Sequence, residues 1–186
     1  MKYDEYKQRV NYFLKNDNRE VNYQNRVVLP FLESLFPRNC VADVSQLTKN
    51  WKGIFREQFA GLYTPDLLIT NNAWRLKDHC DCRMILEIKT PTARDRTHAE
   101  KEVDEYLCKG IPVVLTNCIT WEFNWKGQKE TINLEQKYSI KPYNFPCNVC
   151  SRPDIRQVRW EEENDWVKLK ELILKYANLQ DTLMIS

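Results

Sequence analysis

The residues best able to do chemistry lie in two short stretches, Thr64-Pro65-Asp66 and Met84-Ile85-Leu86-Glu87-Ile88-Lys89. Side chains of an extended chain alternate between faces, so Glu87 and Lys89 project to one side while Leu86 and Ile88 project to the other. A charged pair at the end of an otherwise apolar strand is costly unless it is satisfied, and a bound cation satisfies a carboxylate. Asp66 opens a second apolar run, Leu67-Leu68-Ile69. If the two runs pair as an antiparallel hairpin, Asp66 lies beside Glu87 and Lys89. Two carboxylates on adjacent strands form a hard-oxygen site for Mg²⁺, which keeps several waters and takes substrate phosphate as a further ligand. The neighbouring lysine can orient or deprotonate a metal-bound water and neutralise charge building on a phosphate. The plain alternatives are a Pro-Asp turn opening a strand and a cross-strand surface pair worth well under about 1 kcal/mol.

Those residues need a scaffold, and the apolar periodicity supplies one. Tyr3, Tyr6, Val10, Phe13 and Leu14 sit at helical spacing over residues 3–14. A second helix, capped by Asp17 or Asn18, runs to about Phe36, with a kink at Pro30 and a stop at Pro37. Strands are expected over 40–44, 63–70 and 83–89, the last two as a wide hairpin. A helix over 96–109 ends at Gly110. Buried and half-exposed strands follow over 111–117 and 119–125, and a final helix starts near Glu161–Asp165. This order predicts an α/β fold, a central mixed β-sheet flanked by helices.

On these residues a family resemblance appears. Pro65-Asp66, twenty intervening residues and then Glu87-Ile88-Lys89 resemble the PD-(D/E)XK motif of restriction-endonuclease-like nucleases. The likeness implies a restriction-endonuclease-like core with Asp66 and Glu87 as metal ligands, Lys89 as the catalytic lysine and the Ile88 carbonyl as an extra ligand. Glu102-Val103-Asp104-Glu105-Tyr106 has the spacing of the QxxxY motif of RecB-like nucleases, with Glu in place of Gln, which implies substrate contacts from Glu102 and Tyr106. The stretch VVLTNCITWEF is similar to the strand pair after that helix in the nuclease domain of type I restriction enzymes. Glu20 matches the place where such domains often carry an additional catalytic acid, with Glu33 in reserve. The likeness spans residues 17–126 of a single nuclease-like domain, leaving 127–186 as an extension with a terminal helix.

Composition excludes other chemistries. Four isolated glycines (Gly53, Gly61, Gly110, Gly127) leave no GxGxxG fingerprint and no phosphate-binding P-loop. Two histidines, His79 and His98, give little material for a His-based centre. A net charge of +2 shifts attention to local basic stretches: seven basic against five acidic residues from Arg75 to Lys101, and five against one from Lys137 to Arg159. Arg94 and Arg96, just after the motif, are expected to contact substrate phosphate. The opening MKYDEYKQRV lacks an export pattern and no apolar run is long enough for a membrane span. The seven cysteines are therefore expected as reduced thiols in a cytoplasm, in a prokaryotic, phage or mobile-element setting. A rival use for four of them is a structural Zn²⁺ site from Cys80, Cys82, Cys147 and Cys150. The leading expectation is a Mg²⁺-dependent deoxyribonuclease, with Mn²⁺ as a substitute, acting as an endonuclease rather than an exonuclease. A protein partner or homodimerisation would supply its specificity. The alternative is a non-catalytic module that binds nucleic acid or protein on the same fold.

Overall fold

The computed structural model describes residues 1–47, 57–59, 62–75, 78–79, 81–92, 96–136 and 158–179. Helix α1 (Tyr3–Asn16) buries Tyr3, Tyr6 and Val10 and places Asp4 and Glu5 in its first turn and Lys15 in its last, the order the helix dipole favours. A second helical segment comprises α2 (Glu20–Tyr23), a π-helical turn (Gln24–Val28) and α3 (Leu29–Glu33). Neither Asp17 nor Asn18 caps it; Arg19 holds that position without a side-chain capping bond. Asp17 instead pairs with Arg19 at 2.6 Å, and Asn18 accepts a bond from the Tyr23 hydroxyl at 2.6 Å while its amide meets Thr92. A π-helical turn lies just before Pro30. Lacking an N–H, the proline leaves the carbonyl of Arg26 open, and Arg9 Nη1 donates to that oxygen at 2.7 Å.

Strands β1 (Val41–Asp43), β2 (Leu67–Thr70), β3 (Cys82–Ile88), β4 (Val113–Thr116), β5 (Thr120–Trp125) and β6 (Gln128–Asn133) form one sheet in sequential order. Helix α4 (Arg96–Leu107) connects β3 to β4, which run parallel; every other neighbouring pair is antiparallel. The helix ends before Gly110, whose φ of +70° suits the residue that turns the chain into β4. β6 was not foreseen. Its hairpin to β5 closes through Lys126 (φ +47°) and Gly127 (φ +75°), the two positive angles that such a tight turn requires. The last helix, α5 (Glu163–Ala177), completes the described elements.

Each face of the sheet carries its own core. On one face, Leu67, Ile69, Met84, Leu86, Ile88, Val114, Trp121 and Phe123 pack against α1, the α2–α3 segment and α5. Phe31 and Tyr6 meet Trp166 of α5 at ring separations of 4.5 and 4.8 Å. On the other face, Leu68, Ile85, Val113 and Leu115 pack against Ala99, Val103 and Tyr106 of α4. No helix of the described residues is long and apolar enough to cross a membrane.

Candidate active site

Strand register decides which side chains meet. β2 and β3 pair Leu67 with Leu86 and Leu68 with Ile85, so Asp66, one step before β2, falls opposite Glu87. Alternation then puts Asp66, Glu87 and Lys89 on the α4 side of the sheet. Asp66 Oδ2 accepts the Ile88 N–H at 2.7 Å, and the Lys89 N–H donates to the Thr116 carbonyl at 2.8 Å, which fixes the end of β3 to β4. Lys89 Nζ donates to Glu87 Oε1 at 2.6 Å and lies 3.1 Å from Glu102 Oε2. The Tyr106 hydroxyl points at Glu87 Oε2 from 3.4 Å.

The hairpin reading thus places Asp66, Glu87 and Lys89 together, and α4 adds Glu102 and Tyr106 one helical turn apart on its sheet-facing side. Glu20, in the first turn of α2, is half-buried and feels the charges of Lys89 and Glu102. Glu33 lies at the far end of that segment, paired with Arg38 at 3.2 Å. Ile88 contributes its N–H to Asp66 and sends its side chain into the opposite core. Arg94 lies outside the described residues, as does the side chain of Arg96. Of the four cysteines weighed for zinc, Cys80, Cys147 and Cys150 also lie outside them. Cys82 is buried, its thiol directed at the Met84 carbonyl at 3.6 Å. His98, passed over in the sequence, sits with Nε2 at 3.3 Å from Glu102 Oε1. Its spacing four residues before Glu102 on a helix was the signal that could have found it.

The electrostatics are lopsided. Asp66 is 9% exposed, Glu87 3% and Glu102 8%; with Glu20 they set four carboxyl groups around one lysine. Burial pushes the Asp66 carboxyl well above the usual carboxylate range, against the pull of the Ile88 N–H. Burial also raises Glu87, and the charge of Asp66 adds to it. For Lys89 burial acts to lower the pKa, but Glu87, Glu20 and Glu102 together outweigh it and hold the ammonium above its ordinary value. Burial makes the ionised forms of these acids costly beside a single ammonium, and a second cation would favour them. Among the described residues no group of three or more His, Cys, Asp or Glu side chains is placed to hold a metal ion. The two carboxyl groups that face each other across the strand ends are Asp66 and Glu87. Two hard carboxylates suit Mg²⁺, which binds through one or two of them and fills its shell with water and phosphate.

No family model, no curated protein and no solved structure matches the chain.

Proposed function

We propose that this chain is a Mg²⁺-dependent deoxyribonuclease of the PD-(D/E)XK kind, hydrolysing phosphodiester bonds at Asp66, Glu87 and Lys89 on a restriction-endonuclease-like core. One observation carries the reading: two buried carboxylates at facing strand ends, Asp66 fixed by the Ile88 N–H at 2.7 Å, share their site with a lysine 2.6 Å from Glu87. An ordinary surface pair would be solvated, whereas these groups are desolvated and their ionised forms are disfavoured until a cation joins them.

In this reading Asp66 and Glu87 hold the ion, with the Ile88 carbonyl as a further oxygen donor. When bound, Mg²⁺ supplies charge neutralisation at the phosphate and a more acidic water. Hydrolysis joins a water oxygen to phosphorus and breaks one P–O ester bond, giving a phosphomonoester and an alcohol. Lys89 Nζ orients the attacking water and sets positive charge toward the phosphate oxygens, whose negative charge grows as the bond forms. The Tyr106 hydroxyl restrains Glu87, and Glu20 adds an acid at the edge of the cluster. Arg94 and Arg96 are proposed to meet neighbouring phosphates. Restriction, mobile-element and repair roles inside a prokaryotic or phage-infected cell all fit this chemistry, with a partner or second copy supplying specificity.

The test incubates purified protein with supercoiled plasmid and with single-stranded DNA in Mg²⁺, Mn²⁺ or EDTA, beside Asp66→Asn and Lys89→Ala. Plasmid nicking in either metal, abolished by EDTA and reduced at least about a hundredfold in both variants, is the expected result. A closed circle has no end, so nicking also marks an endonuclease. Equal cutting by all three proteins contradicts the site. No cutting under any condition favours a module that binds nucleic acid or protein without cleaving it.

A further inference from the structure

His98, Glu102 and Tyr106 lie one helical turn apart along α4. Tyr106 faces Glu87 at 3.4 Å, Glu102 faces Lys89 at 3.1 Å, and His98 faces Glu102 at 3.3 Å. His98 is the outermost of the three, its side chain about half exposed, with its ring edge-to-face against Tyr63 at 5.3 Å. A line of contacts therefore leads from a solvent-facing imidazole, through a buried carboxylate, to the lysine of the site. Lys89 has a carboxylate on each side, and the two seats differ in consequence. Its contact with Glu87 Oε1, at 2.6 Å, occupies an oxygen that a metal ion would need. Lysine and cation compete for Glu87, and an ammonium group without another anion to receive it would resist displacement.

We propose that Glu102, held in place by His98, is a positioning residue that receives Lys89 and so frees Glu87 for a divalent cation. The inference rests on the nuclease reading and deepens it by assigning the acid on α4 to the lysine rather than to substrate. The glutamate found where the QxxxY pattern has glutamine suits this role, because a carboxylate pairs with an ammonium far better than an amide does. His98 restrains the far oxygen of Glu102, which keeps the near oxygen turned toward Lys89.

Isothermal titration of Mn²⁺ alone into the purified full chain reads the effect without any DNA cleavage. Lys89→Ala removes the competitor and should tighten Mn²⁺ binding. Glu102→Gln, which preserves shape, should weaken it about tenfold, the order seen when partners of metal ligands are removed. In the Lys89→Ala background the same Glu102→Gln change should alter affinity by no more than about twofold, because the residue acts through the lysine. His98→Ala should give a smaller loss in the same direction, and His98→Gln, which retains an N–H donor, should restore part of it. Being half exposed, His98 also provides a variant that folds if Glu102→Gln does not, as circular dichroism will show. Unchanged Mn²⁺ affinity in Glu102→Gln, or an equal loss with and without Lys89, overturns the inference while leaving the nuclease reading intact. A wild-type chain that neither binds Mn²⁺ nor cuts DNA overturns both.

Discussion

Asp66 shows what burial does to one acidic side chain. Its carboxyl keeps a proton to higher pH in the folded chain than in the unfolded one. Between the ordinary carboxylate pKa near about 4 and the raised folded value, the folded state binds more protons. The stability this contributes is full below about pH 4 and is lost as pH rises through the folded value. Asp66→Asn keeps an oxygen for the Ile88 N–H and removes the titration. Without divalent metal, thermal melts at pH 5 and pH 8 should therefore show a larger fall for wild type than for Asp66→Asn, by roughly 3–6 °C. Equal falls would show that Asp66 is not the strained group. Tyr106 allows a second separation at this scale. Tyr106→Phe loses only a long hydrogen bond and should change stability by at most about 1 kcal/mol in denaturant titrations. Tyr106→Ala empties a fully buried aromatic position and should cost about 3–5 kcal/mol.

At the scale of elements, the β5–β6 turn and the segment around Pro30 respond to local substitutions. Gly127→Ala would place a Cβ in open space, so its cost comes from the backbone angle alone, about 1–2 kcal/mol by denaturant titration. Arg9→Ala should cost about 0.5–1.5 kcal/mol, and less in a Pro30→Ala background, where residue 30 regains an N–H for the Arg26 carbonyl. Elements with an apolar stripe were legible in the sequence: α1, β2, β3, α4, β4, β5 and α5 all lie where their spacing puts them, with ends shifted by a few residues. β6 was not, because Gln128–Asn133 is an edge strand of mostly polar residues and its only sign was Lys126-Gly127. The π turn was hidden because no residue pattern marks a widened turn. The caps at Asp17 and Asn18 were misread because both side chains are engaged elsewhere, a long-range fact no local window contains. Asp66, Glu87 and Lys89 were readable as neighbours because alternation and antiparallel pairing together dictate it. Glu102 was named from its spacing, but as a substrate contact; its pairing with Lys89 was not readable, since it depends on how α4 crosses the sheet.

Across the whole molecule, bulk stability and candidate chemistry fall on opposite faces of one sheet. The larger aromatic core, with Trp166 between Tyr6 and Phe31, lies on the face away from the carboxylates. Trp166→Ala should cost about 3–5 kcal/mol, a large share of a single domain's stability, and is checked by denaturant unfolding. On the other face, among the described residues, α4 packs against the sheet with Phe59, and Asp66 and Glu87 sit where β2 begins and β3 ends. Asp66, Glu87 and Glu102 are buried on the α4 side, beside Lys89. A divalent ion shared by Asp66 and Glu87 is the claim on which the proposed function turns. Anomalous diffraction from crystals soaked in Mn²⁺ addresses it directly. A peak at bonding distance, about 2.0–2.2 Å, from both carboxylates is the expected result. A Mn²⁺-soaked crystal with no peak between Asp66 and Glu87, and with Lys89 still seated on Glu87, would contradict it.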